Sequence, residues 1–416
     1  MVKELKKNQD IILTRPDKGK GVVILKRSDY DRKMSNIVSD TSKFEKLGSC
    51  DQCDGTAKIE RSLQNLLRNR NKADQIPDGV YKEIYPTGTT RLRIYGIPKI
   101  HKDGTPLRPI LSMAGSPQHA IARWLADLLK PVVDKYSGAT VKDSFEFCES
   151  IRSLHCPSST HMCSFDIKSL FTNVPIHETI RICATELYHS DLEVPTLKED
   201  SFVKLMKKVT TGVEFSYREV MYRQIGGVAM GLPLGPVLAN IVVGYQEQRL
   251  LASNPNADAL LLYKRYVDDT FSLSLNTQES SQFLEQLNSL HPALQFTCEN
   301  EDQGSLPFLD ARVIKKYSTE EDRVSFDTTV YRKPTFSGQY TRWDSFSARS
   351  QKINLIRCLV NRAKRICSHN YLQEELDNIK KIFTNNGYPI GVIEKVLTSC
   401  LHQQDARIGP KRCPVY

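Results

Sequence analysis

Apolar positions change their period several times along this chain, and each change predicts an element. In IILTRPDKGKGVVILKRSDY two β-rich apolar runs, Ile11–Leu13 and Val22–Leu25, flank a turn bearing glycine and lysine, the pattern of a hairpin. The very basic stretch 58–72 reads as a helix, and RLRIYGIPKIHKDGTPLRPILSM as a second hairpin turning at Lys102-Asp103-Gly104. Beyond Pro117 the spacing of Ile121, Trp124, Leu125, Leu128 and Leu129 shifts to three and four residues, so one helix is predicted over about 117–133. Another follows at about 144–154. HMCSFDI, residues 161–167, is a run for a buried strand, and the loop SLFTNVP leads through Pro175 into a helix over about 176–188.

Further along, the pattern predicts a helix near 200–211, a strand pair in FSYREVMYRQ and a long apolar helix over 235–251 entered through GLPLGP. LLYKRYV and TFSLSL follow as two strands with only Asp268-Asp269 between them. An amphipathic helix at 277–290 precedes strands near 294–299, 308–315 and 324–332. Past Pro334 the strands stop, and helices are predicted near 349–367, 371–385 and 389–403. No internal repeat interrupts the series. The expected architecture is α+β in three parts: a β-rich front at 1–115, a mixed centre at 116–335 and a helical end at 336–416.

Composition narrows the class. Of 416 residues 40% are hydrophobic and 25% charged, enough to bury a sizeable core and too much for a disordered or fibrous chain. No run of about 18 apolar residues occurs, and the opening MVKELKKNQD lacks the apolar stretch of a secretory signal. A soluble protein, not secreted and with no membrane contact, is expected. The 11 cysteines are irregularly spaced, which suits reduced thiols in a nucleus or cytosol. Cys50-Asp-Gln-Cys53 has no second pair nearby and reads as a polar loop, and strand alternation disperses His155, Cys156, His161 and Cys163 into core packing.

Charge then separates the ends from the centre. Residues 1–110 carry 23 Lys and Arg against 14 Asp and Glu, residues 348–416 carry 12 against 5, and residues 111–347 carry 23 against 29. Basic ends suit a polyanion, because neutralised phosphates release counterions, and an acidic centre suits hard cations. Asp166 ends an apolar strand and Asp268-Asp269 sits in the turn of a strand pair, so neighbouring strands would bring the carboxylates together as a metal site. Asp-Asp is also a common turn pair, and GLPLGP is also ordinary punctuation before a helix. What is specific is the ordered set FDIKSLFTNVP, GVAMGLPLGPVLANI and YKRYVDDTF, with Asp166, Gly231 and Asp268 spaced 65 and 37 residues apart.

That set resembles the three central palm motifs of reverse transcriptases. RPDKGKGVVIL, YGIPKIHKDGTPLRPILS, LPFLDARV and YRKPTFSGQYTRWDSFS look, more narrowly, like the polymerase of Penelope-like retroelements, and the resemblance runs from about residue 11 to 405. It implies a right-hand polymerase: N-terminal segment and fingers hairpins in 1–115, a palm with an antiparallel sheet and interleaved fingers helices in 116–335, and an α-helical thumb in 336–416. It implies an RNA-directed DNA polymerase that adds deoxynucleoside triphosphates to a DNA primer on an RNA template. Two magnesium ions, for which manganese can substitute, would be held by Asp166, Asp268, Asp269 and the carbonyl of Ile167.

The same resemblance implies further roles. Phe171 would exclude a 2′-hydroxyl, and Gly231, Leu232 and Pro233 would cradle the nascent base pair. Lys99 and Arg108, on the two arms of the second hairpin, would hold the triphosphate. Arg15, Lys18 and Lys20 would contact template or triphosphate, and Arg362, Lys364 and Arg365 on the basic face of the helical end would grip nucleic acid. Lys315 is expected as a surface lysine, with a general acid for pyrophosphate as the alternative. The family's polymerase is usually followed by a GIY-YIG nuclease, and no such motif is present, so the sequence is expected to be a truncated or decayed copy, or one whose nuclease is encoded separately or absent. A catalytically inactive nucleic-acid-binding remnant is the competing expectation, and an RNA-dependent RNA polymerase a third that conflicts with the aromatic at 171. Nuclear residence is expected from chromosomal insertion, with the cytoplasm as the alternative.

Overall fold

The structure, a computed structural model, describes residues 5, 7–19, 21–48, 55–253, 257–318 and 320–402. Two compact units share the chain: Met1–Thr140, Asp166–Ala257 and Phe283–Thr297 form the first, and Val141–Phe165, Asp258–Gln282 and Cys298–Tyr416 the second. The chain passes from the second unit into the first between Phe165 and Asp166.

In the first unit the predicted hairpins are antiparallel pairs, Ile11–Thr14 with Val23–Lys26 and Ile94–Pro98 with Leu107–Leu111. Arg218 and Glu219 both take positive φ, 50° and 64°, which gives the tight turn between Val213–Tyr217 and Val220–Gln224 its right-handed twist. A short strand that the pattern did not announce, Phe44–Lys46, adds to that hairpin as a third member. The helices Arg27–Val38 and Asp78–Ile84 were also not announced; each buries only one or two side chains, too few for a periodic signal. The single helix expected over 117–133 is two, His119–Leu128 and Lys130–Lys135. Pro131 falls in the first turn of the second, where its missing N–H leaves no gap but from which no ladder runs back. Leu234–Ser253 buries residues around much of its circumference, among them Leu238, Ile241, Val242 and Val243, as expected of a central helix.

Leu260–Tyr266, Asp269–Ser274, His161–Ile167 and Phe296–Asn300 form a sheet in that order, and the second unit holds all of it but Asp166, Ile167, Phe296 and Thr297. A second sheet runs Ser305–Phe308, Ala311–Tyr317, Arg323–Val330 and His155–Pro157. The one strand predicted at 308–315 is thus a hairpin, turned at Leu309, whose φ of 54° no apolar pattern forecasts. Between the sheets and the helix Ser144–Arg152 the rings of Phe147, Phe271 and Phe308 lie 4.6 to 5.6 Å apart in edge and tilted contacts. Asp143 caps that helix, its Oδ1 accepting the N–H of Phe145 at 3.0 Å and of Glu146 at 2.9 Å.

The three C-terminal helices, Arg349–Ile366, His369–Asn385 and Ile390–His402, enclose Ile356, Val360, Ile379, Phe383 and Ile393. Two lysines depart from expectation. Lys352, in the first turn of a basic helix, is buried and donates to the carbonyls of Trp343 at 2.6 Å and Ser345 at 2.7 Å. Lys315, expected at the surface, has a side chain only 5% exposed and is paired with Glu301 and the carbonyl of Thr160. It is a structural ion pair rather than a solvated charge. Cys156 and Cys163 are buried free thiols, Cys50 and Cys53 lie outside the described residues, and no described helix is long and apolar enough to cross a membrane.

Phe147→Ala empties the ring cluster, and is expected to destabilise the second unit by about 3–5 kcal/mol, the usual cost of an aromatic lost from a core, measurable as a lowered urea midpoint.

Candidate active site

In the second unit the strand pair Leu260–Tyr266 and Asp269–Ser274 closes on Tyr266 opposite Asp269, so that Val267 and Asp268 are the two residues of the turn. Val267 has φ 58°, the left-handed region, where a β-branched side chain costs roughly 1–3 kcal/mol and persists only when its surroundings over-determine it. Arg265 supplies part of that determination. It is fully buried, its Nη1 donates to the Val267 carbonyl at 3.2 Å, and its own carbonyl accepts the Val141 N–H at 2.9 Å.

One hydroxyl ties the next strand to this pair. Thr270 Oγ1 accepts the Phe165 N–H and donates to the Phe165 carbonyl, both at 3.1 Å, and two residues further Ser272 Oγ lies 3.0 Å from Cys163 Sγ. The chain neighbours of the bonded residues are acidic: Asp269 precedes Thr270, and Asp166 follows Phe165. Phe165 and Ile167 are buried and Asp166 is exposed, as strand alternation requires.

The first unit carries the basic and aromatic residues. On the Ile94–Leu111 hairpin, Lys99 follows one strand and Arg108 lies in the other. Burial, then the cations Arg108 and Lys102, hold the Lys99 ammonium below its ordinary pKa, while the carboxylates of Asp17 and Asp166 pull it back. Asp166 is therefore within electrostatic range of the hairpin's phosphate-binding type of side chain. Arg108 forms an ion pair with Asp17, Nη1 to Oδ1, at 3.2 Å.

The glycine turn leans on the same hairpin. The Leu111 N–H donates to the Met230 carbonyl at 2.9 Å, and Gly231, at φ 124°, sits so close that a Cβ would meet the Leu111 oxygen at 2.3 Å. Leu232 is buried and Pro233 partly so. Phe171, half-buried in a helical turn Leu170–Asn173 that replaces the expected loop, packs toward Gly235 and its carbonyl accepts the Val228 N–H at 2.7 Å. Lys43 Nζ donates to Thr172 Oγ1 at 3.2 Å, next to Phe171. Lys43 and Asp17 are neighbours of this site to which the sequence assigned no role: Lys43 lies outside the quoted motifs, and in RPDKGKG the basic residues drew the reading.

Other expected contacts are placed differently. Arg15 and Lys18 are exposed, and Lys20 lies outside the described residues. Arg362 pairs with Asp310 at 3.4 Å, Lys364 Nζ donates to the Cys400 carbonyl at 3.3 Å, and the Arg365 guanidinium lies 3.6 Å from the centre of the Phe145 ring. Lys364 is engaged within the helical end, and Arg362 and Arg365 reach residues of the second unit that precede it in the chain, so a freely solvated stripe of cations is not what positions 362, 364 and 365 provide.

Asp166, Asp268, Asp269 and the Ile167 carbonyl are hard oxygen donors, a set whose chemistry suits magnesium. Asp166 belongs to the first unit and Asp268 and Asp269 to the second, and among the described residues no group of three or more His, Cys, Asp or Glu side chains is gathered to hold a metal ion.

The fold is that of a right-hand polymerase. It is similar to telomerase from Candida albicans in complex with a TWJ fragment of telomeric RNA, with a TM-score of 0.62 at 11% identity over 96% of this chain and 68% of that one. Telomerase from Candida tropicalis with the same kind of RNA fragment gives 0.54 at 11% identity over 94% and 61%, and its apo form 0.51 at 11% over 95% and 68%. Residues 100–300 match the family described as reverse transcriptase (RNA-dependent DNA polymerase), and residues 339–398 that described as animal helix-turn-helix domain. No curated protein matches. The chain therefore carries a reverse-transcriptase domain, and it is an enzyme of the nucleotidyltransferase class, an RNA-directed DNA polymerase. The helix-turn-helix match, which covers most of the three C-terminal helices, was not foreseen from the sequence.

Gly231→Ala sets a methyl against the Leu111 carbonyl and strains φ. Incorporation by the purified protein is expected to fall on the order of a hundredfold, the scale of an ångström misplacement near a reacting centre, while circular dichroism stays native.

Proposed function

We propose that this chain is the polymerase of a Penelope-like retroelement, extending a DNA 3′-hydroxyl on an RNA template with deoxynucleoside triphosphates. The observation that carries the reading is that the reverse-transcriptase match over 100–300 encloses FDIKSLFTNVP, GVAMGLPLGPVLANI and YKRYVDDTF in their required order. The narrower family rests on RPDKGKGVVIL, YGIPKIHKDGTPLRPILS and YRKPTFSGQYTRWDSFS. Fingers in 1–115, palm in 116–335 and thumb in 336–416 belong to the same proposal, as does nuclear residence.

Asp166, Asp268, Asp269 and the Ile167 carbonyl would hold two magnesium ions, which when bound supply activation of the primer hydroxyl and charge relief for the departing pyrophosphate. The chain's own contributions are binding and exclusion. Arg108 and Lys99 engage the triphosphate, Arg through its planar fork and Lys as a point charge. Phe171 would leave no room for a ribose 2′-hydroxyl, so that selection against ribonucleotides is steric. Gly231 admits a base or sugar close to the backbone, and Leu232 and Pro233 shape the floor beside it.

Primer extension on an RNA template tests this. Asp268→Asn is expected to lower incorporation on the order of a thousandfold, because a carboxylate ligand contributes several kcal/mol to transition-state stabilisation. Incorporation unchanged by that substitution rules the catalytic assignment out, and salt-sensitive RNA binding with no incorporation by the wild type establishes an inactive binding remnant. Phe171→Ala is expected to raise ribonucleotide use relative to deoxynucleotide use on the order of tenfold, the discrimination a pocket gains from one added group.

A further inference from the structure

Asp17 stands in the RPDKGKG turn, and its surroundings are unusual for a turn aspartate. Its side chain is 4% exposed. One oxygen, Oδ1, meets Arg108 Nη1 at 3.2 Å; the other, Oδ2, is buried with no hydrogen-bond partner among the described residues. Its N–H donates to the Pro98 carbonyl at 2.9 Å, which stitches the turn to the residue before Lys99. Across the hairpin Arg108 is opposite Ile97, so the two arms that carry Lys99 and Arg108 are both anchored on this one residue, by backbone on one side and by charge on the other.

Taking a carboxylate out of water with one oxygen unsatisfied is costly, and a buried polar atom left unpaired calls for a reason. The reason lies in the company it keeps. Lys99, Lys102 and Arg108 lie close enough for Arg108 and Lys102 both to depress the Lys99 pKa, so three like charges are crowded at one hairpin. A lone surface ion pair would do little to hold such a cluster. A carboxylate that is itself shielded from water holds its guanidinium more firmly, and Arg108, whose side chain is 38% exposed, keeps the rest of its fork for a ligand from solvent.

We propose that Asp17 is a positioning residue for the incoming nucleotide: it fixes Arg108 through Nη1 so that the remaining guanidinium donors, together with Lys99, are preset for a triphosphate. The crowded cations select the ligand class, since a compact polyanion relieves repulsion that a monoanion cannot. The turn RPDKGKG then owes its function to its acidic residue as much as to its basic ones. This inference rests on the polymerase reading above and adds a residue and a role to it.

Two measurements test it. Calorimetric titration with inorganic triphosphate needs no catalysis: Asp17→Asn is expected to weaken binding about tenfold relative to wild type, and Asp17→Glu to recover part of the loss, because the carboxylate is kept. In steady-state primer extension Asp17→Asn is expected to raise the KM for deoxynucleotide about tenfold and to lower kcat far less, with Asp17→Asn in an Arg108→Ala background adding nothing further. A triphosphate affinity equal to wild type in Asp17→Asn overturns the proposal, as does a double variant whose losses multiply. If Asp17→Asn does not fold, Asp17→Ser, which also removes the charge, decides in its place, an unchanged affinity counting against. Loss of activity in Asp268→Asn with no effect of Asp17→Asn sinks this inference only; activity that survives Asp268→Asn sinks the polymerase reading, whatever the triphosphate titration shows.

Discussion

The hydroxyl of Thr270 fixes the register on which the acidic part of this protein depends. Buried in the sheet, it both receives from and donates to the backbone of Phe165, and in so doing decides which residue on each strand is the last one inside. Strand alternation does the rest: a slip of one residue would turn Asp166 inward and Phe165 outward, exchanging a solvated carboxylate for a buried one. The adjacent turn is held by comparable means. A valine in the left-handed region is tolerated because a buried arginine donates to its carbonyl, and the strain so stored sits one residue before Asp268. Rigid neighbours thus determine the placement of each carboxylate.

The basic side obeys a complementary rule. Cations are kept near one another only where something negative or polar restrains them. Arg108 has Asp17, Lys43 has the Thr172 hydroxyl, and Lys315 has Glu301. In the helical end the same physics works against a simple reading of charge, because Lys352 and Arg365 cover apolar or carbonyl surface with their long stems and are committed to the interior. Net charge along a sequence therefore locates a partner only coarsely; the partner meets whichever cations the fold leaves uncommitted.

Most elements were legible because their signals are local. The two hairpins of the first unit, the strand HMCSFDI and the long apolar helix from 234 are written in runs of side chains whose period needs no tertiary context. The misses share a cause. Pro131 divides a helix whose apolar spacing continues across the break, Leu309 turns a strand by a φ that its side chain does not advertise, and Phe44–Lys46 is a strand only because Val220–Gln224 offers it an edge. In the candidate site the aspartates, the phenylalanine and the glycine turn were legible as an ordered motif set, whereas the roles of Asp17, Lys43 and Arg265 were not, since a charged side chain acquires its role from what it touches.

The sequence by itself determined the chemistry on offer: which carboxylates stand at strand ends, which ring follows them by five residues, and the order in which the three motifs arrive. These are fixed by covalent connectivity and by side-chain period, and both are local. Tertiary structure alone decided that Arg265 supports the turn, that Asp17 pairs with Arg108, and that Lys352 of the last helices is buried. Those outcomes depend on burial and on partners distant in the chain, where the cost of desolvating a charge is set by neighbours that no window of sequence contains.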